Sequence, residues 1–476
     1  MSGLNLRLQD ALQYIPGGKL VGDGNVLLQR VHTDTRTLKA GDLFIALKGD
    51  RFDANDFLAD AKAAGAAAAI AHGGLVAAGL YGIEVPDSKL ALSSLATGWR
   101  ARYTLPLIAV AGSNGKTTVT QMIASILRAW QSDAMLATQG NFNNDIGLPL
   151  TLMRLAPNHR IAVVEVGMNH PGEIATLARI AQPTVALVNN AQREHQEFMT
   201  SVEAVARENG AIFKSLPAGG TGVFPAGDEY APLWAGLCDG RRTMTFSDKQ
   251  SDQADVYGQG VWHDHRWRVR AQTPAGLLEF SLGIAGEHNV RNALAATACA
   301  LAAGVPLAAI QTGLEAFEPV KGRSRAFLLE IAGKRITAVD DTYNANPDSV
   351  RAAIDVLDAL PAPHLLVLGD MGEVGDQGPA FHEEIGLHAR KCGITHVFTL
   401  GSQAELTAQK AGGKHFGDDI DALNRSVIAL LPGLGSVLVK GSRFMKMERV
   451  IEAITAHAAM AAPPTLPPDE GQQHAA

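Results

Sequence analysis

Hydrophobic and polar positions along the chain fall into two alternating signatures. Continuous apolar runs at Leu43–Leu47, Ala67–Ala71, Leu105–Ala111, Ile161–Val166 and Thr184–Val188 predict strands buried on both faces. Between them the apolar positions recur with helical spacing. After Gly115 they fall at Val119, Met122, Ile123, Ile126, Leu127 and Trp130, an i, i+3, i+4, i+7 stripe that predicts an amphipathic helix. Asp53–Ala64 and Gly172–Ile180 read as helices on the same ground. After Lys321 a second set begins, with strands expected at Lys334–Val339, His364–Leu368, His396–Leu400 and Ser436–Val439. Buried strands alternating with amphipathic helices predict an α/β fold with parallel sheets covered on both faces.

A length of 476 residues suits about three domains. The pattern divides at residues 1–102, 103–319 and 320–458, with a boundary at Pro319-Val320-Lys321-Gly322. Residues 459–476, rich in Pro and polar residues, are expected to be a disordered tail. Apolar residues at 46% and charged residues at 19% exclude global disorder. A net charge of −7, from 41 Lys plus Arg against 48 Asp plus Glu, disfavours a nucleic-acid binder. The three cysteines, Cys238, Cys299 and Cys392, are far apart and form no paired-cysteine motif, which suits a reducing, cytoplasmic setting. Ala63–Val85 comes nearest to a membrane span. Its small residues, His72, Glu84 and the Gly73-Gly74 break predict a packed helix, a turn and a strand instead.

The strongest chemical signal is Ala111-Gly112-Ser113-Asn114-Gly115-Lys116-Thr117-Thr118, which joins a buried strand to the amphipathic helix. Glycines let backbone N–H groups turn toward phosphate oxygens, and the helix N-terminus adds partial positive charge. Lys116 is expected to neutralise the β and γ phosphates, and Thr117 to offer its hydroxyl to Mg²⁺. The longer G-x-x-x-x-G-K-[ST] spacing fails because Val110 stands at its first glycine, so the match is to a shorter G-x-x-G-K-T-T form. Glu165 ends the run from Ile161, where a carboxylate at the mouth of a parallel sheet suits an oxygen-coordinated Mg²⁺. His195 follows the Thr184–Val188 strand by one short loop; spacing alone favours a surface residue there. Four segments are dense in Asn and Gly: Gln139–Gly147, Gly286–Asn292, Asp340–Pro347 and Lys440–Arg443. Amides that donate and accept suit sugars and base edges, and equally suit turns. Composition and spacing stop at a nucleotide-dependent enzyme with two α/β domains and an N-terminal accessory domain.

The ordered set of motifs resembles the Mur ligase family, the ATP-dependent amide-forming enzymes of cell-wall precursor synthesis, from about Thr33 to Val450. Asp341-Thr-Tyr-Asn-Ala-Asn-Pro, Leu368-Gly-Asp-Met-Gly-Glu-Val-Gly and Val439-Lys-Gly-Ser-Arg-Phe-Met-Lys-Met-Glu resemble the branch that joins D-alanyl-D-alanine to UDP-N-acetylmuramoyl-tripeptide. The D-N-P-R segment of the branch that adds the third peptide residue does not occur.

The resemblance implies an N-terminal α/β domain for the UDP-sugar, a central domain like a P-loop ATPase for ATP and Mg²⁺, and a C-terminal Rossmann-like domain that closes over the site. It implies an acyl-phosphate route and a monomer without a membrane span. By motif position it places Gly112, Ser113, Asn114, Gly115, Lys116, Thr117 and Thr118 on the phosphates. Thr117 and Glu165 would serve one Mg²⁺ and His195 a second. Asn289 and Asn292 would lie near the adenine, Asp341 near the ribose, and Arg323 would approach the phosphates on closure. Arg36, Asn143 and Asn144 would face the muramoyl-peptide. In the family a lysine before a Gly-Glu pair carries a carbamate that helps hold the second Mg²⁺. Here the corresponding run is Val205–Ala211, with Asn209 in the lysine position, and the neutral amide oxygen of Asn209 is expected to replace the carbamate; a shifted alignment would give the role to Lys214. The competing readings are the third-residue-adding ligase, folylpolyglutamate synthase and a P-loop nucleotide switch.

Overall fold

The computed structural model describes residues 4–49, 51–263, 266–331 and 333–461. The predicted tail from residue 462 onward lies outside these. The final helix, Glu448–Ala461, takes in residues 459–461, which the sequence pattern places in that tail. Two compact units form: Met1–Gly283 with Glu287–Glu318, and Ile284–Gly286 with the chain from Pro319 onward.

The first unit holds two main sheets. The smaller has strand order Lys19–Val21, Gly82–Glu84, Ala68–Ala71, Asp42–Ile45, Arg30–His32 and is parallel except at its first pair. The Ala63–Val85 stretch, expected as a helix, a turn and a strand, instead runs from the end of helix Leu58–Ala63 through a strand, a one-turn helix at Leu75–Ala78 and a second strand. Among the described residues no helix is long and apolar enough to cross a membrane. Helix Ser88–Ala101 links this sheet to the larger one. Its Trp99 indole donates to the Leu155 carbonyl at 3.2 Å, and the buried Arg100 guanidinium donates to the carbonyls of Ala181, Gln182 and Leu105. A buried cation that satisfies backbone carbonyls on two segments, at Leu105 and at Ala181–Gln182, anchors this helix beside the larger sheet.

The larger sheet has nine strands, in the order Gly276–Leu282, Arg266–Thr273, Val256–His263, Arg242–Ser247, Thr221–Pro225, Val185–Val188, Leu107–Ala111, Ile161–Glu165, Met135–Ala137. Seven are parallel, and Arg266–Thr273 and Gly276–Leu282 run as an antiparallel meander. That meander corrects the expectation of a purely parallel sheet. Its strands alternate buried and exposed positions, so they lack the continuous apolar runs that mark the others. Val110 is opposite both Glu165 and Leu187 in register, which brings the carboxyl ends of three adjacent strands to one place. The helix after the first of them, Lys116–Gln131, buries Val119, Met122, Ile123, Ile126 and Leu127 completely, while Trp130 sits at its exposed end.

The second unit is a six-stranded sheet in the order Arg325–Ile331, Lys334–Asp341, Ser436–Lys440, His364–Gly369, His396–Leu400, Lys414–His415. All neighbours are parallel except the first pair. Asp341 is opposite Lys440 in register at the carboxyl edge. Asn346 caps helix Pro347–Asp358 in a reciprocal box with Ser349, with Pro347 at its first turn. Part of the Tyr-Asn-Ala-Asn-Pro motif is therefore helix-start chemistry.

Candidate active site

The turn after Leu107–Ala111 has the backbone of a phosphate cradle. Gly112 has φ +127° and Gly115 φ +82°, both unfavourable for a side chain. A Cβ at Gly112 would come within 2.9 Å of the Asn189 backbone nitrogen, and one at Gly115 within 2.7 Å of Asn292 Oδ1. Space as well as conformation demands glycine at both positions. The loop is bolted to the neighbouring strand end: Ser113 N–H donates to the Asn190 carbonyl at 3.1 Å, and Asn114 N–H to Asn190 Oδ1 at 2.8 Å. Asn114 Nδ2 reaches Gln192 Oε1 at 2.6 Å. Thr117 and Thr118, in the first turn of the helix, are buried.

Lys116 curls back over this loop. Its ammonium donates to the Gly112 carbonyl at 2.6 Å, the Ser113 carbonyl at 2.9 Å and Glu194 Oε2 at 3.2 Å. Glu194, to which the sequence pattern gives no role, is buried. Its place immediately before His195 is the one local signal that marks it. His195 has φ +50°, and its Nε2 is 3.8 Å from Glu194 Oε2.

Glu165 lies at the end of the adjacent strand, buried. Its Oε1 accepts from Asn143 Nδ2 at 2.7 Å, while Oε2 is buried without a hydrogen-bond partner among the described residues. A desolvated carboxylate oxygen beside a phosphate loop fits a hard divalent cation such as Mg²⁺. The residues present therefore fit the expected metal.

Asn143, expected on the substrate, is instead the side chain that orients Glu165. Asn144, also expected there, accepts from the N–H groups of Ile146 and Gly147 with Oδ1, at the start of helix Gly147–Leu152. Arg36 is exposed and paired through two donors with Asp34, at 2.9 and 2.7 Å, which holds the Asp34 carboxyl down at about 2. The Arg36 hydrogen bonds are the chief cause.

Asn289 and Asn292 are buried on helix His288–Ala302 and joined to the loop by a relay of amides. Asn289 Oδ1 accepts from Asn292 Nδ2 at 2.9 Å, Asn292 Oδ1 accepts from Asn189 Nδ2 at 3.0 Å, and Asn189 Nδ2 also reaches the Asn114 carbonyl at 2.8 Å. Both thus stand beside the phosphate loop, and Asn189 is a link that sequence reasoning missed. Asn209, buried on helix Val202–Gly210, accepts from the Gly112 N–H with Oδ1 at 3.0 Å and points Nδ2 at Glu194 Oε1, 3.5 Å away. Its amide oxygen is committed to the loop, contrary to the expectation that it holds Mg²⁺. Lys214 is exposed on the turn Ala211–Ser215.

In the second unit Arg323 lies over the Tyr343 ring, 3.7 Å from its centroid, a cation–π contact. Asp341 Oδ1 accepts from Ser324 N–H at 2.9 Å, and Oδ2 accepts from the buried Lys440 ammonium at 2.6 Å. Lys440, part of a sequence motif that gives it no role of its own, is what holds Asp341.

Family models match the chain in three consecutive parts: "Mur ligase family, catalytic domain" over residues 28–100, "Mur ligase middle domain" over 110–300, and "Mur ligase, glutamate ligase domain" over 325–443. The UDP-N-acetylmuramoyl-tripeptide–D-alanyl-D-alanine ligase of Haemophilus influenzae is 38% identical over 451 residues, which cover 93% of this chain and 97% of the relative. Among solved structures, MurF from Acinetobacter baumannii superposes with a TM-score of 0.88 at 32% identity, over 96% of this chain and all of that one. MurF from Thermotoga maritima, determined in complex with ADP, has a TM-score of 0.79 at 26% identity, over 91% of this chain and 98% of that one. With three consecutive family matches, and a glycine loop, a strand-end carboxylate and a loop histidine gathered at one sheet edge, the chain belongs to the Mur ligase family.

Proposed function

We propose that the protein is an ATP-dependent ligase that joins D-alanyl-D-alanine to UDP-N-acetylmuramoyl-tripeptide and releases ADP and phosphate. The observation that carries this reading is the Gly112–Thr118 loop with Glu165 beside it, on a chain 38% identical over nearly its full length to a ligase of that name. The motif segments at Asp341–Pro347, Leu368–Gly375 and Val439–Glu448 support the same branch over the third-residue-adding ligase.

The chemistry follows from the groups at hand. A peptide carboxylate is a poor acyl donor, so the γ-phosphoryl group first passes to it, giving an acyl phosphate and ADP. The uncharged amine of D-alanyl-D-alanine then attacks the acyl carbon, and phosphate leaves as the amide forms. The first step brings two anions together. Lys116 offsets that repulsion, and the start of helix Lys116–Gln131 offers its partial positive charge to the phosphates. Thr117 and Glu165 would hold Mg²⁺, which would supply positive charge against the phosphates. By motif position Arg323, which stacks on Tyr343, would supply a further cation for the transferring group. Asp341, fixed by Lys440 and Ser324, serves the ribose.

The deciding experiment measures phosphate release with each substrate omitted in turn. Release that needs both UDP-N-acetylmuramoyl-tripeptide and D-alanyl-D-alanine is expected. Equal release without either acceptor would favour the nucleotide-switch reading.

A further inference from the structure

The Glu194 carboxylate sits in a place that a counter-ion role alone leaves unexplained. It is buried, with three polar partners converging on it: Lys116 Nζ at 3.2 Å from Oε2, Asn209 Nδ2 at 3.5 Å from Oε1, and His195 Nε2 at 3.8 Å from Oε2. A buried carboxylate requires a compensating cation. In this structure Lys116 supplies it. Yet the three acceptors that hold the Lys116 ammonium here, two loop carbonyls and Glu194, are the ones it must loosen in order to reach a nucleotide phosphate. Each time a nucleotide binds, Glu194 loses charge compensation where the phosphates add more negative charge. A divalent cation between Glu194 and the phosphate resolves both problems.

We propose that Glu194, together with His195, ligates a second divalent cation at the phosphate loop, and that Lys116 holds the empty site by pairing with Glu194 until nucleotide arrives. The proposal rests on the ligase reading above. Two adjacent ligands of an octahedral ion at about 2.1 Å lie about 3 Å apart. The 3.8 Å between Glu194 Oε2 and His195 Nε2 therefore needs to close by less than about 1 Å for both to reach one ion. Asn209 completes the arrangement. Its amide oxygen is taken by the Gly112 N–H, so it meets Glu194 with its donor side. A neutral donor on a carboxylate orients it without adding charge, as outer partners of metal ligands do. The negative group for which the family resemblance expects a carbamate at position 209, on helix Val202–Gly210, is here carried by Glu194 from the loop before that helix.

The test counts bound Mn²⁺ by electron paramagnetic resonance on the full chain with a non-hydrolysable ATP analogue and UDP-N-acetylmuramoyl-tripeptide. Wild type is expected to bind two ions. Glu194→Gln is expected to keep one and to lose the other or weaken it at least tenfold. Two ions of unchanged affinity in Glu194→Gln would overturn the proposal and leave Glu194 as the partner of Lys116 alone. Should that variant fail to fold, a crystal of the wild-type complex soaked with Mn²⁺ decides: an anomalous peak within about 2.5 Å of the Glu194 carboxylate supports the proposal, and none there overturns it. A wild type that needs both acceptors for phosphate release but binds one Mn²⁺ would sink this inference and leave the ligase reading standing. Acceptor-independent release would sink the ligase reading itself.

Discussion

Asn143 donates a hydrogen bond of 2.7 Å to one oxygen of Glu165, and the other oxygen is buried without a hydrogen-bond partner among the described residues. The pair gives the asparagine two residues past the Gln139–Asn141 turn a role, with the Asn143 carbonyl also fixed by the Gly167 N–H at 2.9 Å. Asn143→Ala frees the Glu165 carboxylate to rotate. Losing such an outer partner costs about 10–100-fold in metal affinity. The expected result is a rise of that order in the Mg²⁺ concentration for half-maximal phosphate release, with a melting temperature close to wild type. An unchanged Mg²⁺ requirement would show that Asn143 acts elsewhere.

Lys116→Ala removes a cation on which the transferring phosphoryl group depends. The loss is expected to be about 3 kcal/mol or more, roughly a hundredfold in kcat. From the sequence this loop residue carries no stability role. The structure adds one, because Glu194 is left buried without its ammonium, at a cost of about 1–3 kcal/mol. Lys116→Ala should therefore melt measurably below wild type. Lys116→Ala/Glu194→Gln should regain most of that loss and none of the activity. Calorimetry on the two variants separates the effects, and a double variant no more stable than the single one would contradict the pairing.

His382 is buried in the second unit with both ring nitrogens occupied: Nε2 accepts from the Met371 N–H at 3.1 Å, and Nδ1 donates to the Gly378 carbonyl at 2.8 Å. Burial, the largest cause, pushes its pKa below the ordinary histidine value despite nearby Asp370. The unfolded chain then binds a proton that the folded chain resists. That stability is complete above about pH 6.5 and is lost as pH falls below it. His382→Gln should be less stable than wild type at pH 7.5 and should lose less on going to pH 5.5. Melting curves of the two proteins at both values check it, and parallel losses would rule the histidine out.

The parallel core of both units was legible because a continuous apolar run of five or so residues, bounded by turns, suits little besides a strand buried on both faces. The antiparallel meander at Arg266–Leu282 was not, since its period-two alternation is spread over charged side chains such as Arg268, Arg270 and Glu279. The site divides in the same way. Gly112, Lys116 and Glu165 are visible because strand, turn and helix occur in consecutive sequence. Asn189 and Lys440 act through partners between 75 and 103 residues away and no local pattern marks them, while Glu194, paired with Lys116 78 residues away, is marked only by its place before His195. The polar segments at Asn143–Gly147 and Asn346–Ser349 carried a double meaning that only contacts resolve, since Asn144 and Asn346 serve helix starts.

The last prediction concerns carbon dioxide. The family resemblance expects a lysine carbamate near the second metal, and here that position is Asn209, whose amide cannot be carbamylated. Asn209 is buried, and its amide oxygen and amide nitrogen meet Gly112 and Glu194. A slipped alignment would hand the role to Lys214, but that side chain is exposed on the Ala211–Ser215 turn, while the buried members of the turn are Ile212 and Phe213. A lysine there gains nothing from a carbamate, which forms stably only where a cation and hydrogen bonds hold it. Ligase activity is therefore expected to be the same in carbon-dioxide-stripped buffer and after bicarbonate is added. Asn209→Lys offers the converse: the ammonium would meet the Gly112 N–H and compete with Lys116 for Glu194, so activity should fall and bicarbonate should restore part of it by turning the cation into a carbamate. A clear gain in rate for the wild type on adding bicarbonate would mean that a lysine carbamate serves the site after all, and that the carboxylate of Glu194 does not stand in its place.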